Sequence, residues 1–169
     1  MHSLLKNDHH LVDKAKKNNV SLFDLRNPPN PPHFPKGSWK ERKFPVLLVV
    51  GSDCDTGKMT TAWEICEELN KRKWNVRFLG TGQTGILLSG NGVPIDAVIS
   101  DFMAGEIEHH LDQFSNDTDL VIVEGQGALN NMFYSGVTLG LLHGCMPEFL
   151  IMTHEPYRDL DVSDYPIPS

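Results

Sequence analysis

Four short apolar runs constrain the fold of this 169-residue chain more than any other feature of its sequence. The hydrophobic residues within each run are consecutive rather than alternating, which is typical of parallel strands that helices cover on both faces. The intervals between the runs are long enough to hold helices, and strands alternating with helices imply right-handed crossovers in an open, mainly parallel α/β sheet. The runs are PVLLVVG at 45–51, NVRFLGTG at 75–82, DLVIVEGQG at 119–127 and EFLIMTHEP at 148–156.

Two of the intervals contain clear helix patterns. Apolar side chains recur at helical spacing over residues 59–69, and Glu68 can pair with Arg72 one turn later. Ser100 can cap a second helix whose apolar positions extend to Phe114. The sheet is therefore expected to have helices on both faces, in a three-layer fold.

The N-terminal quarter differs in composition from the rest of the chain. Prolines crowd residues 27–39, and because proline lacks the backbone N–H they exclude both helix and central strand. We therefore predict a linker at 27–44, preceded by a polar helix at 9–17 and one strand at 20–25. These two elements are too few to form a core, so the segment is expected to pack on the main domain or to belong to a missing part.

The charge and cysteine content favour some classes of partner over others. The formal net charge is -7, so there is no electrostatic reason to expect a nucleic acid or an anionic membrane as a partner, and a small molecule is expected instead. The three cysteines are too few and too scattered for a disulfide framework, which favours a reducing cytoplasm. No apolar run approaches the roughly 20 residues that span a bilayer.

Residues capable of chemistry follow all four predicted strands. Glycines, acids, amides and an imidazole occur in GSDCDTGK, GTGQTG, EGQG and THEP, each at the end of one apolar run. In open α/β sheets ligands bind beyond the carboxyl ends of the strands. Four such ends on one edge predict a ligand site there.

The first of these ends resembles a phosphate-binding loop with altered spacing. Such a loop aims backbone N–H groups and a lysine at phosphates, and a following hydroxyl holds magnesium. Here five residues separate Gly51 from Gly57, and Met59 follows Lys58 where the hydroxyl is expected. Thr60 or Thr61 can substitute for that hydroxyl, but a shift of one position turns a helical side chain by about 100°. The loop is thus predicted to bind an anion, with magnesium held less directly.

Glu124, His154, His143 and Arg158 are further candidates at or near the strand ends. Glu124 closes a strand, where it can bind a metal, act as a general base or cap the next turn. His154 follows a strand directly and can accept a proton, whereas His143 lies in an apolar helix pattern and is either a base or a core residue. Arg158 can hold a carboxylate with two hydrogen bonds or be a surface charge.

Taken together, these motifs resemble one family closely. From about residue 46 to 158, the chain is similar to the C-terminal P-loop domain of the D-glutamate N-acetyltransferase family, long labelled as a domain of unknown function. The resemblance implies a P-loop NTPase-like fold and acetyl transfer from acetyl-CoA to the amino group of D-glutamate or a similar amino acid. The motifs are GSDCDTGKMTTA at 51–62, GTGQTG at 80–85, GVPIDAVISDF at 92–102, VEGQG at 123–127, YSGVTLGLLHG at 134–144 and HEP at 154–156.

The resemblance also implies domain boundaries. Residues 1–26 are expected to be the remnant of a preceding Rossmann-like domain, 27–44 the Pro-rich linker, and 45–169 the P-loop NTPase-like domain, shorter at its C-terminus than the family implies. A shortened sheet exposes an edge, so homo-oligomers or association with a missing domain are expected. One alternative hypothesis is accordingly a truncated, non-catalytic nucleotide-binding module.

A more distant likeness, to dethiobiotin synthetase, implies the other alternative, an ATP- and Mg-dependent ligase or kinase. In that hypothesis Lys58 steadies the γ-phosphate, and Glu124 with Asp53 holds magnesium. In the transferase hypothesis the loop binds the phosphates of coenzyme A, so the hydroxyl is not needed. Transfer then needs a base, namely His154, His143 or Glu124, and backbone donors for an oxyanion, expected at 81–85.

The predicted site residues fall into three groups beside the candidate bases. The cofactor-binding residues are Gly51, Asp53, Cys54, Gly57, Lys58, Met59 and Thr60. The substrate-binding residues are Thr81, Gln83, Thr84, Gly85, Gln126 and Arg158. Glu124 and Thr60 are predicted metal ligands only in the case of a bound Mg-nucleotide.

Overall fold

One parallel sheet organises the chain, which we describe from a computed structural model covering residues 4–161 and 164–166. Its four strands lie side by side in the order β2-β3-β1-β4, and all neighbours pair in parallel. Each strand falls inside one of the four apolar runs, so the predicted open parallel sheet is confirmed. The strands are β1 Val46–Gly51, β2 Val76–Leu79, β3 Leu120–Val123 and β4 Phe149–Thr153.

Five α-helices accompany the sheet in the described residues. Both helices predicted from apolar spacing are present, and Arg72 pairs with Glu68 at 2.9 Å as expected. The second begins at Ser100, but Ile99 occupies its cap position and no side chain caps it, so the predicted serine cap is wrong. The helices are α1 His9–Lys17, α2 Lys58–Lys71, α3 Gln83–Ser89, α4 Ser100–Leu111 and α5 Ser135–Cys145.

The helices cover the sheet in the expected three layers. On one face, Ala62 and Cys66 of α2 pack against strand residues such as Ile122. On the other face, α4 and α5 bury side chains such as Ile107 and Leu141 against the alternate residues of the same strands. Burial of both faces explains why the strand sequences are continuously apolar.

Strand β4 departs from this pattern. It pairs with β1 on one side only, and within the described residues it forms one edge of the sheet. Phe149 and Leu150 are 55% and 54% exposed, although they point to opposite faces. The prediction that all four strands are buried on both faces is therefore wrong for this strand.

The N-terminal segment packs on the domain without joining the sheet. The helix predicted at 9–17 is present, but residues 20–25 form no strand, because they pair with no strand among the described residues and a turn begins at Leu25. Asp24 accepts hydrogen bonds from the backbone N–H groups of Leu5 and Lys6, and Arg26 pairs with Asp96 at 2.8 Å. No helix in the described residues is both long and apolar enough to cross a membrane.

Candidate functional site

The carboxyl ends of β1, β2 and β3 enclose two neighbouring cavities. The loop cavity has a volume of about 430 Å³ and the α3 cavity about 240 Å³. Three residues, Met59, Glu124 and Gln126, line both, so the two cavities share a wall. The loop cavity is otherwise lined by Cys54, Asp55, Gly57, Lys58, Thr60, Gly125 and Gly127. The α3 cavity is otherwise lined by Gly82, Gln83, Thr84 and Asp96.

The loop between β1 and α2 bends sharply around its lysine. Asp55 and Gly57 have φ angles of 54° and 89°, in the left-handed region that favours glycine. This path places Lys58 at the start of α2, where its side chain is only 7% exposed and its Nζ donates to the carbonyl of Asp53 at 2.6 Å. Burial lowers the pKa of Lys58, while the acidic groups Cys54, Asp55 and Asp53 oppose this shift.

The donors at this loop fit a phosphate group. No side chain caps the 14-residue helix α2, so its first-turn N–H groups have no partner of that kind, and a helix N-terminus attracts anions. The ammonium of Lys58 is at the same helix start. Among the predicted cofactor-binding residues, Cys54, Gly57, Lys58, Met59 and Thr60 line the loop cavity, whereas Gly51 and Asp53 are buried beside it.

Gly125 makes the close approach between β3 and β1 possible. A Cβ atom at this position would be 1.7 Å from the carbonyl oxygen of Val49 and 3.2 Å from Cδ of Lys58. We expect Gly125→Ala to lower the free energy of unfolding by about 1–3 kcal/mol, measured by urea denaturation. The matched control is Gly136→Ala on α5, where a Cβ meets no atom within 4 Å and a gain of about 0.5–1 kcal/mol is expected. Equal effects at the two glycines would contradict the close packing.

Glu124 is a buried carboxylate held by backbone N–H groups. It follows β3 and is 3% exposed. Its Oε2 accepts hydrogen bonds from Thr81 N at 2.8 Å and Gly82 N at 3.0 Å, and Thr81 Oγ1 donates to the Glu124 carbonyl. Burial raises the pKa of Glu124, and the two backbone N–H groups oppose the shift without cancelling it. A carboxylate with a raised pKa is suited to accept a proton.

The donors at 81–85 do not all serve the role predicted for them. The N–H groups of Thr81 and Gly82 were expected to stabilise an oxyanion, but they donate to Glu124 instead. Gly85 packs directly against that carboxylate, since a Cβ there would be 2.1 Å from Oε2. Gln126 lines both cavities, and its Nε2 makes only a long contact of 3.4 Å with Glu124 Oε1, so this amide is a better-placed donor.

The two candidate histidines do not line either cavity. His154 is exposed, and its Nδ1 is 2.8 Å from Ser52 Oγ. His143 lies in the last turn of α5. Two residues later, the carbonyl of Cys145 accepts a hydrogen bond from Arg42, which precedes β1. His143 is therefore near the amino ends of the strands, at the edge of the sheet opposite the cavities. The structure therefore brings Glu124, and neither histidine, to the lining of the cavities.

Arg158 contacts the loop between β1 and α2 from outside the loop cavity. Its Nη1 donates to the carbonyl of Cys54 at 2.6 Å and is 3.6 Å from Oδ2 of Asp53. Asn131 donates to the other oxygen of Asp53 at 3.1 Å. Arg158 also donates to the carbonyl of Leu160 and lies 3.8 Å from the carboxylate of Glu155, so the predicted substrate-binding guanidinium is held by groups of the protein. Among the predicted substrate-binding residues, Gln83, Thr84 and Gln126 line the α3 cavity.

Two residues at the site, Asp96 and Asn131, are not among the predicted site residues. Asp96 lines the α3 cavity, and its carboxylate accepts hydrogen bonds from Arg26. Asn131 lies between β3 and α5, four residues after the EGQG motif and outside it. The aspartate has a signal in the sequence, because it follows the glycine-rich end of β2, but the asparagine has none.

Comparison with known proteins points to one family. Residues 33–169 match the family model described as the P-loop domain of DUF1611, a domain of unknown function. A protein of Tritonibacter scottomollicae named D-glutamate N-acetyltransferase is 42% identical over 171 residues, which cover 100% of this chain and 50% of that protein. A protein of the same name from a Pseudoalteromonas species is 42% identical over 154 residues, or 91% of this chain and 46% of that protein.

A solved structure supports the same relationship. The crystal structure of a DUF1611 family protein from Anabaena variabilis matches with a TM-score of 0.86 at 31% identity. The match covers 100% of this chain and 49% of that one. The chain therefore spans about half the length of the curated relatives and of the solved structure that it matches.

Proposed function

We propose that this chain, which belongs to the DUF1611 family of P-loop domains, is an acyl-CoA-dependent N-acetyltransferase that acts on D-glutamate or a similar amino acid. The observation that carries the proposal is the shared wall between the two cavities. The loop cavity with Lys58 lies on one side of Glu124, and the α3 cavity lies on the other. An acyl donor and an amine acceptor can therefore meet at one buried base.

In this proposal the loop cavity binds the phosphates of coenzyme A. Lys58 and the first N–H groups of α2 supply the positive charge, and Met59 in place of a hydroxyl is no obstacle because binding needs no hydroxyl-held magnesium. Acetyl-CoA supplies the activated acetyl thioester. The name of the two curated relatives supports the choice of acceptor.

The residues at the shared wall then divide the chemistry between them. Glu124 accepts a proton from the acceptor nitrogen, since an ammonium has no lone pair with which to attack a carbonyl carbon. Gln126 Nε2 donates to the carbonyl oxygen as negative charge develops on it. The N–H groups of Thr81 and Gly82 fix the carboxylate of Glu124 in place for this step.

A ligand panel tests the proposed donor. We expect acetyl-CoA without magnesium to raise the melting temperature of the chain, by roughly 5–10 °C at a hundredfold excess over Kd, because a ligand at that excess adds about 2.7 kcal/mol of stability. Differential scanning fluorimetry with acetyl-CoA, CoA, ATP and Mg-ATP measures this. A rise with Mg-ATP alone would contradict the proposal and favour a ligase or kinase. No rise with any of them, combined with self-association, would favour a non-catalytic module.

A further inference from the structure

The α3 cavity is acidic, in contrast to the loop cavity beside it. Its charged lining residues are Glu124 and Asp96, and the rest of the lining is neutral, with the amides of Gln83 and Gln126 and the hydroxyl of Thr84. No lysine or arginine lines it in the described part of the chain. Arg26 pairs with Asp96 from outside the lining and offsets one of the two negative charges, so the charge on Glu124 remains and favours a cation over a carboxylate.

Glu124 lines the α3 cavity, and one of its two carboxylate oxygens has no strong hydrogen-bond donor. Its side chain is almost completely buried, and both backbone N–H donors are bound to Oε2. The contact recorded for Oε1 is the amide of Gln126 at 3.4 Å, which is long for a hydrogen bond. A buried carboxylate oxygen gains most from a charged donor such as an ammonium N–H.

Asp96 is held in a defined orientation by the N-terminal segment. Nε and Nη2 of Arg26 donate to the same oxygen, Oδ2, at 3.1 and 2.8 Å. The aspartate sits on the short 3-10 turn Ile95–Ala97, which is anchored where Ile95 N donates to the carbonyl of Thr81. This arrangement leaves Oδ1 free of recorded bonds within the described residues, so it can accept a hydrogen bond from a ligand.

We propose that the α3 cavity is the acceptor site and that it binds the primary ammonium group of an amino acid, with Asp96 holding the ammonium beside Glu124. The inference rests on the proposed function and adds to it the orientation in which the amino acid binds. Because the carboxylates of Asp96 and Glu124 can only accept hydrogen bonds, they bind an ammonium and offer nothing to a carboxylate, so the ligand enters with its ammonium first and keeps its own carboxylates toward the mouth of the cavity.

The protons and bonds of the transfer balance in this arrangement. Glu124 accepts one proton from the ammonium, and the resulting amine nitrogen forms a bond to the acetyl carbon while the carbon–sulfur bond breaks. The nitrogen loses its second proton to the leaving thiolate, and Glu124 returns the first one to solvent. Asp96 contacts the substrate throughout but exchanges no proton.

Calorimetric titration with a matched pair of ligands tests the acceptor site without acetyl-CoA. We expect D-glutamate to bind at least tenfold more tightly than glutarate, which has the same two carboxylates and no amine. Asp96→Asn should remove most of that preference, whereas Asp101→Asn, an exposed carboxylate five residues later on α4, should keep it. Equal affinities for the two ligands in the unaltered chain, or an unchanged preference in Asp96→Asn, would overturn the acceptor site.

Acetyl-transfer kinetics separate this inference from the proposed function. We expect Asp96→Asn to raise KM for D-glutamate about tenfold or more while KM for acetyl-CoA stays unchanged, which also shows that the variant is folded. Amine-selective binding without any acetyl transfer would overturn the proposed function and leave the acceptor site in place. Acetyl transfer by Asp96→Asn with the KM values of the unaltered chain would overturn the acceptor site and leave the proposed function in place.

Discussion

Glu124→Gln is expected to lower kcat for acetyl transfer by about 10²- to 10⁴-fold, the usual contribution of a general base. The glutamine keeps the volume of the side chain, and its Oε1 can still accept from Thr81 N and Gly82 N, so the position should stay folded. Burial disfavours the charged form of Glu124, so the neutral variant should be at least as stable at neutral pH. Steady-state kinetics and thermal denaturation measure the two effects.

The pH profile distinguishes loss of a base from general damage. Because burial raises the pKa of Glu124 above its ordinary 4.5, the rate should increase as pH rises through that higher value and the carboxylate forms. The same pKa shift makes the free energy of unfolding fall as pH rises, because the folded state binds the proton more tightly than the unfolded state does. The fall begins near the ordinary pKa of 4.5 and ends once the raised pKa is passed. Glu124→Gln should remove both dependences.

Glu64→Gln, an exposed position on α2, is the matched control for this substitution. It should keep both the rate and the acid limb of the profile. If Glu124→Gln retained more than a tenth of the activity, the proton would be accepted elsewhere. His154, which is hydrogen-bonded to Ser52, would then be the next residue to replace.

Much of the fold and the position of the site follow from sequence alone. Buried parallel strands need consecutive apolar residues, and the polar residues after such strands necessarily lie at one edge of the sheet. That reasoning locates Lys58, Glu124 and Gln126 together, and the structure places all three at the loop cavity. The position of the candidate site, at this edge of the sheet, therefore follows from the sequence.

Other features depend on three-dimensional relations that a local pattern does not contain. Residues 20–25 alternate like a strand, but alternation does not show whether a partner strand is available. Apolar residues 148–156 do not reveal that β4 is the edge strand, which is a property of strand order. His143 lies in a helix, as its surroundings suggest, but only the direction of α5 shows that it is at the wrong end.

Hydrogen bonds between residues that are distant in sequence could not be predicted either. Thr81 and Glu124 are 43 residues apart, and nothing between them indicates that a backbone N–H of one is bound by the carboxylate of the other. Arg26 reaches Asp96 across 70 residues. Glycine-rich motifs predict that donors are present at an edge, but only the structure shows which of those donors are already in use.

Lys58→Ala is expected to weaken acetyl-CoA binding by about 10- to 150-fold, because hydrogen bonds to charged groups contribute about 1.5–3 kcal/mol and 1.4 kcal/mol is a factor of ten. The ammonium that now donates to the Asp53 carbonyl is the cation at the start of α2. Isothermal titration calorimetry measures the loss. Lys71→Ala, an exposed lysine in the last turn of the same helix, should bind as the unaltered chain does.

Salt dependence identifies what Lys58 contacts. If its partner is a phosphate, raising the ionic strength should weaken binding by the unaltered chain more than by Lys58→Ala, since screening acts on the interaction that the variant lacks. Glu124→Gln should show the opposite combination, with acetyl-CoA affinity retained and transfer lost. Unchanged affinity in Lys58→Ala would mean that the loop does not bind the donor's phosphates, and the acetyl donor would then have to be sought outside the loop cavity.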